Sequence, residues 1–219
     1  MKIPRPVALT AAAAALVVLG GCSAASQAAS TATDVPPVPT VAASGARTPA
    51  PSPGVAVDAF GPGCAELPKS DDPGSLATMS LQPVATAVGS NPELSTLHQA
   101  IERAGLTDTL NTAPGLTVFA PTNEAFAALP PADLQRVLAD PAQLTALLEY
   151  HVSQTRETAE QLRTARVSQQ LVGGSVEIGG TGEELTVTDG AGTEAEVLCG
   201  DITTQNANVF LIDAVLAPR

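Results

Sequence analysis

Apolar positions along this chain change their spacing about four-fifths of the way through. In N-P-E-L-S-T-L-H-Q-A-I-E-R-A-G-L, residues 91–106, Leu94, Leu97, Ile101 and Ala104 recur every three or four residues. That is the repeat of one helix face. Asn91 stands where a cap is wanted, Pro92 fits the first turn, and Gly105 stops the helix. In D-P-A-Q-L-T-A-L-L-E-Y-H-V, 140–152, Asp140 and Gln143 have capping-box spacing around Pro141. Beyond residue 174 the period becomes two. S-V-E-I-G-G at 175–180, E-L-T-V-T-D-G at 184–190 and A-E-V-L-C-G-D-I-T-T at 195–204 alternate between Gly-containing turns, which predicts hairpin strands. N-V-F-L-I-D-A-V-L-A-P, 208–218, crowds β-branched and aromatic residues before Pro218, and predicts one or two more strands. The pattern therefore predicts an α+β domain, with helices and an antiparallel sheet segregated along the chain.

Register also bears on the chemistry. The chain has two histidines and one tyrosine, and His151 directly follows Tyr150. Imidazole moves protons near neutral pH, so the pair invites a catalytic reading. However, Leu144, Leu147, Leu148 and His151 fall at i, i+3, i+4 and i+7, which places the ring on the buried stripe. A hydrogen-bonded core histidine is the expectation, with burial lowering its pKa. His98 lies at the edge of its own stripe, where a boundary role is expected.

The N-terminus carries a different pattern. Lys2 and Arg5 precede an apolar run from Val7 to Leu19, which ends in Leu19-Gly20-Gly21-Cys22. The run is short of the roughly 20 residues a membrane span needs, so residues 1–21 read as a signal peptide. Its end resembles the bacterial lipobox, in which Cys22 takes a diacylglyceryl group; the alternative is a plain secretory signal with an incidental Cys22. Acyl chains add about 0.8 kcal/mol of membrane affinity per methylene, enough to anchor the chain at the outer face of the cell membrane. Residues 22–57 are almost wholly Ala, Pro, Ser, Thr, Val and Gly and cannot build a core. They read as a disordered tether reaching roughly 30–35 Å. Thr31, Thr33, Thr40 and Thr48 are candidates for O-linked sugar there. Residues 58–219, with a core over 80–217, form a single domain.

The formal charge is −12. Removing the signal, which contains Lys2 and Arg5 and no acidic residue, takes it to −14. An acidic chain with four Phe, one Tyr and no Trp has little to offer phosphate backbones or stacked bases, so nucleic acid is not an expected partner. With Cys22 assigned to lipid, Cys64 and Cys199 remain as an even pair in an oxidising compartment; they form a disulfide or stay as two buried thiols. The sequence holds no G-x-S-x-G, H-E-x-x-H, phosphate loop or C-x-x-C. Two isolated histidines make a poor metal set. No catalysis, no metal and no cofactor are expected. Arg156, Arg163 and Arg166 stand out in a basic-poor domain as possible anion contacts.

T-V-F-A-P-T-N-E-A-F at 117–126, Y-H at 150–151 and A-N-V-F-L-I-D-A-V-L-A-P at 207–218 resemble, in order and spacing, the two signature boxes and intervening Tyr-His of the fasciclin (FAS1) domain. G-P-G-C-A-E at 61–66, N-P-E-L-S-T-L at 91–97 and V-L-C-G-D-I at 197–202 are similar to the secreted and surface-lipoprotein fasciclin antigens of mycobacteria. The resemblance implies a wedge of strands flanked by helices, a Cys64–Cys199 bridge, and adhesion or protein–protein interaction rather than catalysis. In animal relatives the Tyr-His region and an Asp-Ile pair before the second box are implicated in receptor recognition. The resemblance carries this onto Tyr150, His151, Asp201 and Ile202, although the residues flanking Asp201 depart from the animal pattern. The expected function is a lipid-anchored surface protein that docks a surface or extracellular protein or envelope component through its fasciclin domain. The alternative is a carrier or sensor whose core accepts a lipid or small apolar ligand. The sequence fixes neither the partner nor the oligomeric state.

Overall fold

The computed structural model describes residues 59–218 apart from 70, 182 and 183. The signal peptide, Cys22 and the whole tether, with Thr31, Thr33, Thr40 and Thr48, lie outside the described residues. A strap over residues 59–67 comes first and contains a 3-10 turn, Pro62–Ala65. Helices α1 (Leu76–Ser80), α2 (Val84–Ser90), α3 (Ser95–Ala104) and α4 (Thr107–Thr112) follow, then strand β1 (Leu116–Pro121). Next come α5 (Asn123–Ala128), α6 (Pro131–Ala139), α7 (Pro141–Tyr150), β2 (Val152–Ser153) and α8 (Ala159–Ala165). The chain ends with β3 (Val167–Gln169), β4 (Ser175–Gly179), β5 (Thr186–Thr188), β6 (Glu194–Thr203) and β7 (Ala207–Ile212).

Capping chemistry sets the helix starts. The Asp140 side chain accepts the Ala142 and Gln143 N–H groups at 2.9 and 3.3 Å. Gln143 closes the box differently from the expectation: its amide donates to the Asp140 carboxylate at 2.7 Å. That bond, the largest cause, holds the carboxyl below its ordinary pKa. Asn91 caps a 3-10 turn, Pro92–Leu94, by accepting the Glu93 N–H, and α3 begins only after it. Gly105 ends α3 at φ 67°, where a Cβ would be strained.

The seven strands form one sheet in the order β2-β1-β7-β6-β5-β4-β3. Here the expectation of an antiparallel sheet is corrected, because β1 and β7 run parallel, with Phe119 opposite Phe210. The other neighbours are antiparallel, so the sheet is mixed. The two elements are also less segregated than expected, since β1 lies among the helices and α8 precedes β3. The Leu171 N–H, just beyond β3, donates to the Val152 carbonyl at 2.8 Å. This brings the two ends of the sheet together into a near-barrel.

Every residue of β1 and β7 is buried, because both faces of these strands are covered. Leu116, Val118, Ala120, Val209 and Leu211 face a core shared with α2, α3 and α7. Phe119, Phe210 and Ile212 face a second core built from Tyr150, Leu162 and strands β4 to β6. Two-sided burial explains why these strands read as continuous apolar runs rather than alternating ones. Residues 213–218 form no further strand. Cys64 and Cys199 are disulfide-bonded, fastening the strap to β6.

Candidate functional site

The fasciclin signature boxes lie side by side as β1 and β7, their Phe119 and Phe210 rings 5.8 Å apart. The Tyr-His pair sits where α7 ends and β2 begins. His151 is 2% exposed, as its register predicts. Its Nδ1 lies 2.8 Å from the Leu147 carbonyl, and the Leu216 N–H donates to its Nε2 at 3.0 Å. A carbonyl only accepts and a peptide N–H only donates, so Nδ1 carries the proton and Nε2 is bare. Burial lowers the pKa to about 4; the Leu147 bond and the charge of Asp189 act in the opposite sense. Near neutral pH the ring is therefore neutral, with both nitrogens engaged by backbone. A general base needs a free nitrogen facing substrate, and this ring offers none.

The Tyr150 hydroxyl donates to the Ser175 carbonyl at 3.3 Å and accepts the Gly190 N–H at 3.0 Å, joining α7 to β4 and the β5–β6 turn. Asp201 has a left-handed backbone, φ 54°, and its carboxylate receives the Ala159 N–H at 2.9 and 3.1 Å. That bond lies at the start of α8, which also carries a Thr158–Gln161 capping box. Of the four residues that the resemblance connects with receptor recognition, Tyr150 and His151 are 2% exposed and Ile202 is 0% exposed. Burial keeps these three side chains out of direct reach of a docking partner in this structure. Asp201 is half-buried and holds a helix start.

Other polar residues in and near the boxes also act as internal fasteners. Asn123 accepts the Thr96 N–H at 2.9 Å and donates to the Pro92 carbonyl at 2.8 Å. Asn206 accepts the Val84 N–H and donates to the Leu110 and Ala113 carbonyls. Arg156 bonds Asn208 Oδ1 and the Thr204 carbonyl, and Arg163 lies 4.7 Å over the Phe60 ring. His98 is half-buried beside Glu102 at 3.4 Å.

The pattern reading missed Asp189. It is 5% exposed and accepts the N–H groups of Ala191, Thr193 and Ala217, each at 2.8 Å. The Asp-Gly pair at 189–190 marks a turn in the sequence, but nothing local marks the bond to Ala217. Among the described residues no group of three or more His, Cys, Asp or Glu could hold a metal ion, and no helix is long and apolar enough to cross a membrane.

Among the described residues, an apolar recess of ≈ 280 Å³ lies between the strap and α1, and one of ≈ 470 Å³ lies beside Tyr150, Val172 and Gly174; two further apolar spaces lie between helices. A crevice of ≈ 40 Å³ lies between α3, α4, β1 and the end of α7, room for little more than water. A groove of ≈ 240 Å³ runs between α6 and α7, walled by Phe126, Leu129, Leu134, Val137, Leu147 and Val215.

Sheet order, paired boxes and the buried Tyr-His define a class: the chain belongs to the fasciclin family, whose Fasciclin domain model matches residues 92–218. Among its relatives, the immunogenic protein MPB70 of Mycobacterium bovis is 40% identical over 173 residues, spanning 76% of this chain and 86% of that one. The cell surface glycolipoprotein MPB83 of the same species is 36% identical over 221 residues, spanning 96% of this chain and 94% of that one. A solved FAS1 domain pair from the insect cell adhesion molecule fasciclin I matches at 23% identity and TM-score 0.48, covering 57% of this chain and 45% of that one.

Proposed function

We propose that the protein is a lipid-anchored surface protein whose fasciclin domain docks proteins or envelope components through its outer surface, without a chemical step. Cys22 carries the lipid and residues 22–57 project the domain from the outer face of the membrane. The observation that carries this reading is the use of the polar groups of the Tyr-His pair and of the segments packed beside the boxes. Tyr150, His151, Asp189 and Asp201 all hold backbone N–H or carbonyl groups inside the fold. Likeness to a cell surface glycolipoprotein over nearly the whole chain supports the anchor.

The carrier reading draws on the apolar spaces, but the α6–α7 groove, at ≈ 240 Å³, falls below the roughly 300–1,000 Å³ of a ligand site, and the ≈ 470 Å³ recess beside Val172 and Gly174 is an open surface hollow rather than a cavity in the core. Crosslinking and mass spectrometry on intact cells test the proposal, with Cys22→Ala as the control expected in the medium. Recovery of a macromolecular partner that the control loses supports it. Recovery of a stoichiometric lipid or other small molecule, with no macromolecule, overturns it in favour of the carrier.

A further inference from the structure

Residues 213–218 leave the sheet after β7 and cross the end of the domain without pairing to a strand. Asp213 is tied to Glu196 by two bonds: the Asp213 N–H donates to the Glu196 carbonyl and the Glu196 N–H to Asp213 Oδ1. Beyond it, two successive backbone N–H groups go to side-chain acceptors. Leu216 donates to His151 Nε2 at 3.0 Å, and Ala217 donates to Asp189 Oδ2 at 2.8 Å. Leu216 is 0% exposed in the second core, while Val215 and Ala217 form part of the α6–α7 groove wall.

We propose that this tail is a proton-operated latch: when His151 takes up a proton, residues 214–218 are released from α7 while the sheet stays folded. The switch follows from the tautomer. A bare Nε2 holds the Leu216 N–H, whereas a protonated Nε2 points a donor at a donor and the bond is lost. Release also lets the imidazolium reach water, which burial denies it. Few charged groups face the ring. Asp189 approaches from the β5–β6 turn, and Glu149 of α7 shares its crevice. From α3, α4, β1, β2 and the β3–β4 turn, the crevice presents apolar side chains and the Thr109 hydroxyl. The tail itself presents a backbone N–H. The described surroundings thus hold no cation that would keep the proton off.

The sign and size follow from linkage. The ring titrates near 4 in the latched state and near its ordinary value, about 6.5, once released. Opening is therefore insensitive to pH above about 6.5 and grows as pH falls towards 4. Between pH 8 and pH 5 the opening constant should rise about 30-fold.

Hydrogen-exchange mass spectrometry on the full chain at pH 8 and pH 5, corrected for intrinsic exchange rates, tests the latch. The expected result is an increase of about 30-fold in opening for the peptide over 213–218, with less than threefold for peptides from β1 and β7. In His151→Gln, whose amide oxygen can accept the Leu216 N–H but does not titrate, the tail's pH dependence should flatten. Tail opening in the natural chain that ignores pH overturns the latch. So does opening of the tail, β1 and β7 by the same factor, because the proton would then enter only on global unfolding. Both refuting results are read on the natural chain, so the test holds even if the variant does not fold.

Discussion

Asp189 offers the sharpest test of whether the polar groups in this domain are structural. In Asp189→Ala three N–H donors lose their acceptor at once. Ala191 and Thr193 lie in an exposed turn, where water can replace the carboxylate, so each of these losses costs about 1 kcal/mol. The half-buried Ala217 N–H is harder to resolvate and costs about 1–2 kcal/mol. The expected destabilisation is therefore about 3–4 kcal/mol, a large share of the stability of a domain this size. Asp189→Asn separates geometry from charge. Its oxygen can keep the two turn bonds, but its NH2 group then faces the Ala217 N–H, so about 2 kcal/mol is expected. Urea unfolding gives both numbers from midpoint shifts at constant slope. An Asp189→Ala variant within 0.5 kcal/mol of the natural chain would refute the reasoning, as would Asn proving at least as damaging as Ala.

Acid should weaken the fold through His151. Its pKa is lowered from 6.5 to about 4 on folding, so the unfolded chain binds more protons between those values and stability falls as pH drops from 6.5 to 4, by up to about 3 kcal/mol. Urea midpoints across that window, compared with those of His151→Gln, read this contribution. Tyr150→Phe keeps the ring and removes the hydroxyl that joins the Ser175 carbonyl to the Gly190 N–H; a loss of about 1–3 kcal/mol is expected by thermal or chemical unfolding, and an unchanged midpoint would place that hydroxyl in water. The disulfide joins residues 135 apart, so the double variant Cys64→Ser, Cys199→Ser should lose about 3–5 kcal/mol. Equal unfolding midpoints with and without reductant in the natural chain would contradict it.

Local features were the most legible in the sequence. Asp140, Asn91 and Gly105 marked helix ends because caps and stops depend on residues within one turn. The switch to a period of two marked β4 to β6 for a similar reason, since each covers one buried face. The parallel pairing of β1 with β7 had no such signal. Residues 116–121 and 207–212 meet across about ninety intervening positions, and a run buried on both faces looks alike in either orientation. Helix α8 was hidden for another reason. Thr158 and Gln161 form its capping box, but only Ala159 and Leu162 are buried, too few to draw a stripe. In the site, register placed His151 on the buried face, whereas its acceptor role towards Leu216, 65 residues away, depends on tertiary structure alone.

The placement of the motif residues changes what the family resemblance can say about recognition. Tyr150, His151 and Ile202 identify the fold because they hold it together: the first two bond the backbone of distant segments, and Ile202 fills the core beside Cys199. A substitution at any of them alters the outer surface by shifting what they support. Loss of binding in such a variant is therefore evidence about the fold before it is evidence about contact. Binding experiments on this domain consequently need a stability measurement on the same variant. Direct contacts should be sought among exposed side chains such as Leu81, at 69% exposure, whose removal leaves the interior bonds intact. If Leu81→Ser lowered binding to a captured partner without moving the unfolding midpoint, that edge of the helical layer would be part of the docking surface. If it changed neither, the contact lies elsewhere.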